Sequence, residues 1–200
     1  MYITEKMSTA ICSSLCSYKI IPKEEYAFYH YSFDFVLDII VFNFSLLLIG
    51  AFISMPFPAL LYILTMNIPK MFAGGAHAGS RIQCSIISYV VFLFSMLSAK
   101  YFADIISKPI ICALFVLCSF AVIMLAPVDT PAKRIPATKR KSYQKRCLIC
   151  FIFLFALFCF LAIKNRTNDF FLMTICVIII LANQWIGLLS NRILERTHKC

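Results

Sequence analysis

Two residues in this 200-residue chain have the types and the spacing for nucleophilic chemistry, His77 and Cys84, both within FAGGAHAGSRIQCS at 72–85. A cysteine attacks a carbonyl as its thiolate, and a neighbouring imidazole can take the proton and later return it to the leaving group. Spacing sets a geometric condition. On one straight helix seven residues bring both side chains to one face but leave them about 10 Å apart along the axis, too far for a hydrogen bond. Gly74, Gly75 and Gly79 offer a way to close that gap, because glycine takes the left-handed and tight-turn conformations other residues avoid. His77 is therefore expected on a bent loop. Ser80 followed by Gln83 reads as a capping box that starts a helix, with Cys84 in its first turn. Unpaired N–H groups and the helix dipole favour negative charge there, and Arg81 acts in the same direction. A histidine and one of ten cysteines at this separation also arise by chance, so the pair alone does not establish catalysis.

The elements around the pair are those of a membrane protein. Hydrophobic residues make up 62% of the chain and charged residues 14%, against about 25% charged in soluble domains. One crossing uses about 20 apolar residues, so the length allows a single membrane domain over 1–200. A net charge of +10 could suggest nucleic acid, but the basic residues cluster in short segments between apolar runs, which the positive-inside rule explains better. The ten cysteines form no disulfide framework, since Cys112, Cys118, Cys159 and Cys176 fall within apolar spans. Cys12 and Cys16 sit one turn apart without a second pair to complete a metal site, so no metal and no cofactor are expected. Nothing near the start of the sequence reads as a secretory signal peptide.

In chain order, residues 1–35 form an interfacial N-terminus. Ile3, Met7, Ile11, Leu15 and Tyr18 recur at helical spacing, as on an amphipathic helix. Pro22, Glu24 and Glu25 open a second helix, and Tyr26, Phe28, Tyr29, Tyr31, Phe33 and Phe35 resemble an interface belt that includes His30. Residues 36–66 are almost continuously apolar, too long for one crossing and marginal for two, so they read as two short helices bent at Pro56 and Pro58. Residues 67–84 form the candidate catalytic loop. Four clearer spans follow, at 85–106, 109–126, 147–163 and 170–190. The expected fold is an all-α integral membrane protein: an N-terminal amphipathic helix, a proline-bent hydrophobic hairpin and four transmembrane helices.

Between the middle spans lies a basic segment, 127–146, carrying Lys133, Arg134, Lys139, Arg140, Lys141, Lys145 and Arg146. The positive-inside rule places it in the cytoplasm, with anionic lipid headgroups as a sufficient partner for its charge. Parity then puts 67–84 and the tail 191–200 on the same side, where Arg192, Arg196 and Lys199 agree; Lys164 and Arg166, between the last two spans, conflict with this. Cys147 and Cys150 have the spacing of a redox pair but read as packing, and Asn183, Gln184 and Trp185 either hydrogen-bond between helices or mark the interface.

GGAHAGSRIQC at 74–84 and APVDTPAKR at 126–134, with a cysteine at the entrance to a span, resemble the accessory gene regulator protein B (AgrB) family, and the resemblance runs over nearly the whole chain. It implies a cysteine endopeptidase of the bacterial cell membrane, multi-pass, with its active site on the cytoplasmic side. Such an enzyme processes the propeptides of cyclic quorum-sensing autoinducers. On this resemblance His77 and Cys84 are the catalytic pair and Gly75 belongs to the histidine's motif, while Lys70 stands where the family more often carries arginine. The chemistry implied is attack by Cys84 on a short amphipathic propeptide, departure of its acidic C-terminal tail, and capture of the acyl-thioester by an internal thiol or hydroxyl to give a thiolactone or lactone. Lys70, Arg81 or the basic segment would attract the tail. Backbone N–H groups near Cys84, or the Gln83 side chain, would serve the oxyanion. A homodimer is implied as well, and no nucleic acid is expected.

Two other classes remain open on the sequence. A small transporter or exporter would use Asp38, Asp104 and Lys100 as intramembrane polar groups and would tolerate loss of Cys84. A non-catalytic membrane scaffold would need neither His77 nor Cys84.

Overall fold

The structure, a computed structural model, describes residues 3–76, 79–129 and 135–197. Among them are seven α-helices: α1 Ile3–Ser17, α2 Tyr26–Phe52, α3 Pro56–Ala73, α4 Arg81–Phe102, α5 Lys108–Leu125, α6 Ala137–Ile163 and α7 Thr167–Thr197. Five helical segments, Lys23–Phe52, Arg81–Phe102, Lys108–Leu125, Thr138–Ile163 and Thr167–Ile193, are long and apolar enough to cross a membrane. The protein is an all-α, multi-pass membrane protein.

The chain divides into two compact units, Met1–Ile53 and Ser54–Cys200. In the first, α1 lies along α2. The contact is partly polar: His30 Nε2 meets the hydroxyls of Ser8 and Thr9 at 3.2 and 3.0 Å, and its ring stacks on Tyr26 at 5.8 Å. His30 thus ties two helices together rather than only joining an aromatic belt. The helix α2 is continuous over 27 residues, about 40 Å at 1.5 Å per residue, and lies within a segment long and apolar enough to cross a membrane. The helix ends at Phe52, and Ser54 takes φ +60° ahead of the prolines. Pro56 then opens α3, because at the first helical position its missing N–H costs no bond. The apolar run 36–66 is thus carried by two separate helices: α2 starts within the aromatic stretch and α3 runs on to Ala73.

The second unit is built around α7, which packs against α3, α4, α5 and α6. A stripe at helical spacing, Leu172, Met173, Cys176, Val177, Ile180 and Gln184, is buried along it. Phe158 of α6 stacks on Phe115 of α5 at 4.0 Å and meets Phe170 edge-on at 5.5 Å, and Tyr62 of α3 meets Phe92 of α4 in the same way at 5.0 Å. Lipid is as apolar as these side chains, so what holds the helices together here is close packing and interhelical hydrogen bonding.

Two boundaries bear on the site. The loop between α3 and α4 is confined to residues 74–80, because α3 extends to Ala73 and α4 starts at Arg81. The basic segment is largely helical: α6 begins at Ala137, so Lys139, Arg140, Lys141, Lys145 and Arg146 lie on its first turns.

Candidate active site

Cys84 is the fourth residue of α4 and is exposed. The helix begins as its sequence demands. Ser80, in extended conformation (φ −139°, ψ 155°), is the N-cap and its hydroxyl accepts the N–H of Gln83 at 3.3 Å, satisfying one of the donors a helix start leaves open. The Cys84 N–H donates to the Ser80 carbonyl at 3.1 Å. Two of the amides nearest the thiol are therefore already engaged, and they are not the oxyanion donors in this arrangement. The Gln83 side chain is exposed and its Oε1 folds back toward Gly79. Arg81 is exposed at the first position of α4.

His77 lies outside the described residues, and so do Lys133, Arg134 and Lys199. The backbone that leads into it is well defined. Gly74 caps α3, its N–H donating to the carbonyl of Lys70 at 3.2 Å, and the Lys70 side chain is half-buried. Gly74 has φ +74° and Gly75 φ +130°, conformations that L side chains adopt only under strain. Approach distances reinforce the requirement, since a Cβ on Gly74 would collide with the carbonyl oxygen of Val128 and one on Gly75 with the carboxamide of Asn183.

Three elements meet at these glycines. The segment 126–129 lies beside the loop as a one-residue parallel bridge, Gly74 to Val128. The Val128 N–H donates to the Ala73 carbonyl at 2.9 Å and the Gly75 N–H to the Val128 carbonyl at 3.3 Å. From the other side α7 supplies the Asn183 carbonyl, which accepts the Ala76 N–H at 3.1 Å. Gln184, fully buried, donates through Nε2 to the carbonyls of Ala73 at 3.1 Å and Val122 at 3.2 Å, so one amide group ties the ends of α3 and α5 to α7. Gly187 lets α7 come this close, as a Cβ there would lie 3.0 Å from the Ala76 nitrogen.

The same cluster reaches the basic helix. Asn191 Nδ2 donates to the Asp129 carbonyl at 2.6 Å, and Arg140 forms an ion pair with the Asp129 carboxylate at 2.7 Å. Of the residues singled out in the sequence, the structure thus places Gly75 within a rigid loop support, Lys70 one turn ahead of it, and Arg81, Gln83 and Cys84 on the first turn of the next helix. Gln184 does bond between helices, whereas Trp185 is exposed. Val128, Asp129, Gly187 and Asn191 are contributions that periodicity could not reveal. For Gly187 and Asn191 the signal is chemical: with Asn183 they recur one turn apart on α7.

Of the charges considered for a transport path, Lys100 and Asp104 lie at the end of α4 and Asp38 on α2. Asp104 lines a polar cavity of about 340 Å³ with Asn165, Arg166 and Asp169, at the end of the second unit away from the 74–80 loop. There Arg166 pairs with the buried Asp169 at 2.7 Å and lies over Phe57 at 5.1 Å. Lys100 is exposed beside Tyr101. Among the described residues no group of three or more His, Cys, Asp or Glu could hold a metal. Cys147 is buried and Cys150 half-buried, both as free thiols on α6.

Comparison with known proteins gives this arrangement its context. The family model for Accessory gene regulator B matches residues 5–188. An AgrB-like protein 2 of Clostridium perfringens (strain 13 / Type A) is 25% identical over 147 residues, covering 71% of this chain and 69% of its own. An AgrB-like protein of Clostridium perfringens (strain SM101 / Type A) is 24% identical over the same shares. No solved structure matches. A match from residue 5 to residue 188 reaches into all seven described helices and covers the 74–84 segment, and the chain belongs to the Accessory gene regulator B family, membrane proteins of quorum-sensing peptide processing.

Proposed function

We propose that this protein is a membrane-embedded cysteine endopeptidase that cleaves a small quorum-sensing propeptide through an acyl-thioester on Cys84 and promotes its cyclisation. The observation that carries the reading is the position of Cys84: exposed, on the first turn of a capped helix, and directly after a glycine loop whose entry is fixed by α7 and by the 126–129 segment. In a family of peptide processors that is where a nucleophile belongs.

The reaction proceeds in two acyl transfers. His77 takes the proton of Cys84, the thiolate attacks the scissile carbonyl carbon, and the C–N bond breaks as the imidazolium protonates the departing amine of the C-terminal tail. An internal thiol or hydroxyl of the bound precursor then attacks the thioester, yields its proton to His77, and expels Cys84 as a thiolate, leaving a thiolactone or lactone. Ring closure wins over hydrolysis when the internal nucleophile is held close, where effective molarity is large, and water is kept away. Exposed apolar side chains around the thiol, Ile82, Ile86 and Ile87, suit a precursor lying along the bilayer surface.

The substrate class is a short amphipathic peptide with an acidic C-terminal tail, for which Lys70, Arg81 and the basic first turns of α6 are the attracting charges. Cytoplasmic orientation of this end follows from the same basic residues by the positive-inside rule. The cavity near Asp104 lies at the other end of the second unit from this site, and export is a secondary reading.

Mass spectrometry of the purified protein in nanodiscs, incubated with a synthetic peptide matching a short acid-tailed open reading frame beside its gene, tests the assignment. The expected result is loss of the tail and a thioester adduct on Cys84 in the wild type, with neither in Cys84→Ser or His77→Ala. Equal processing by all three proteins, or none by any, would leave transport or scaffolding as the function.

A further inference from the structure

We infer that Arg140 takes the acidic end of the peptide substrate and that Asp129 holds its place until that end arrives; for the identity of the acid the inference rests on the peptidase reading above. Arg140 lies on the inward side of α6. It stands two turns before Cys147, which with Phe151, Leu154 and Phe158 marks the buried face of that helix, and residues two turns apart share a face. Tyr143, on the same face, meets Phe72 of α3 at 6.3 Å. Lys141 and Lys145 fall on the other side of the helix and are exposed. Anionic headgroups are met by that outward pair, whereas Arg140 faces the 126–129 segment, whose Val128 carbonyl holds the Gly75 N–H at 3.3 Å.

The contact Arg140 makes there is a loose one. Its guanidinium, 53% exposed, gives a single bond, Nη2 to Asp129 Oδ2 at 2.7 Å, and leaves the rest of a five-donor fork without a protein partner among the described residues. The other oxygen of the acid, Asp129 Oδ1, is shut off from solvent and has no hydrogen-bond partner among the described residues. A buried acceptor left unpaired costs free energy, and an exposed ion pair gives little back. An arriving carboxylate can set both oxygens on two donors, the stronger geometry, and a tail with several carboxylates competes against one. The exchange leaves the loop support standing, because the backbone at 128–129 is held without the ion pair: the Val128 N–H donates to the Ala73 carbonyl at 2.9 Å, and the Asp129 carbonyl accepts from Asn191 Nδ2 at 2.6 Å. Asp129 is thus an internal competitor that an acidic end displaces and a neutral one does not, so the pair filters substrates by charge. Both residues act on binding, not on the bond that breaks.

The test follows binding, not cleavage. Fluorescence anisotropy of a fluorescein-labelled oligoglutamate is measured against the full-length protein in phosphatidylcholine nanodiscs. Wild type, Asp129→Asn, Arg140→Gln and the double variant are compared, with Lys141→Gln as the outward control, and protection of the buried Cys147 and Cys176 from alkylation reports that each variant is folded. Asparagine keeps the shape and removes the competing charge, so Asp129→Asn should bind the peptide about threefold more tightly. Arg140→Gln should bind it at least about threefold more weakly, and Lys141→Gln should change the affinity less. In the double variant the gain should vanish, because it exists only through Arg140. A gain from Asp129→Asn that persists without Arg140 would reduce it to general charge, and wild-type affinity in either single variant would reduce the pair to a structural contact; each result overturns the inference. Phosphatidylglycerol nanodiscs that weaken binding to wild type but not to Arg140→Gln would assign Arg140 to the lipid surface, which also overturns it. Should Asp129→Asn expose Cys147, Asp129→Ser is read in its place with the same expectation. If this binding pattern holds while an authentic precursor is left uncut, the peptidase reading fails and the carboxylate site stands.

Discussion

Gln184 Nε2 donates to the carbonyl of Ala73 across 111 positions of sequence, at 3.1 Å and without exposure to solvent. The last carbonyl of α3 has no partner within its own helix. With the Val128 N–H, which the same carbonyl accepts at 2.9 Å, this bond fixes where the glycine loop begins.

Replacing Gln184 by alanine removes the second donor of the Ala73 and Val122 carbonyls, which keep the N–H groups of Val128 and Ala126, at a cost of about 1 kcal/mol. The thermal midpoint in detergent should fall, and peptide processing should fall with it, because the loop entry loosens. An unchanged midpoint would mean that the backbone donors alone hold these carbonyls.

Gly75→Ala introduces a Cβ at φ +130° and against the Asn183 carboxamide. The expected outcome is loss of processing with Cys84 still open to alkylation at high pH, since α4 and its cap are untouched. Gly187→Ala is the graded version: its Cβ lies 3.0 Å from the Ala76 nitrogen, so a shift of a few tenths of an ångström suffices, and a partial loss is expected.

Ser80→Ala removes the N-cap of α4, worth about 1 kcal/mol. Hydrogen exchange should speed up at the amides of residues 83 and 84 and leave the centre of α4 unaffected. Processing should drop several-fold, with Ser80→Asp restoring it.

Maleimide added to the native protein should label Cys84 well before Cys12, Cys147 or Cys176, which are buried. Burial, with Cys16 nearby as a smaller cause, pushes the Cys12 thiol up from its ordinary range, so Cys12 should need higher pH than a free thiol to react. Early labelling at Cys12 would show that α1 leaves α2.

Arg140→Gln breaks an ion pair whose side chains are 53% and 23% exposed. Exposed pairs contribute little, below about 1 kcal/mol, so the midpoint should hardly move. A loss of affinity for an acid-tailed peptide without loss of stability would mark Arg140 as part of substrate attraction.

Sequence alone determined a good deal of this protein, and for clear reasons. The apolar runs set an all-α membrane fold because a backbone in lipid must satisfy its own hydrogen bonds. Ser80 with Gln83 located the start of α4, and with it the first-turn place of Cys84, because capping is local chemistry. Local rules failed where a choice depended on neighbours. Pro56 and Pro58 could be read as bending a helix, whereas they open α3 after α2 has ended at Phe52. The basic run read as a loop, and most of it proved helical from Ala137 on.

What supports Gly74 and Gly75 was decided only by tertiary structure. Val128 lies more than fifty positions along the chain and Asn183 more than a hundred, and nothing in their own surroundings announces that both reach the same loop. Glycines in sequence state that a tight backbone is needed. Which backbone comes close, and which polar groups satisfy it, depends on how α7 packs among α3, α4 and α5, because a buried N–H or carbonyl takes its partner from whatever element stands beside it.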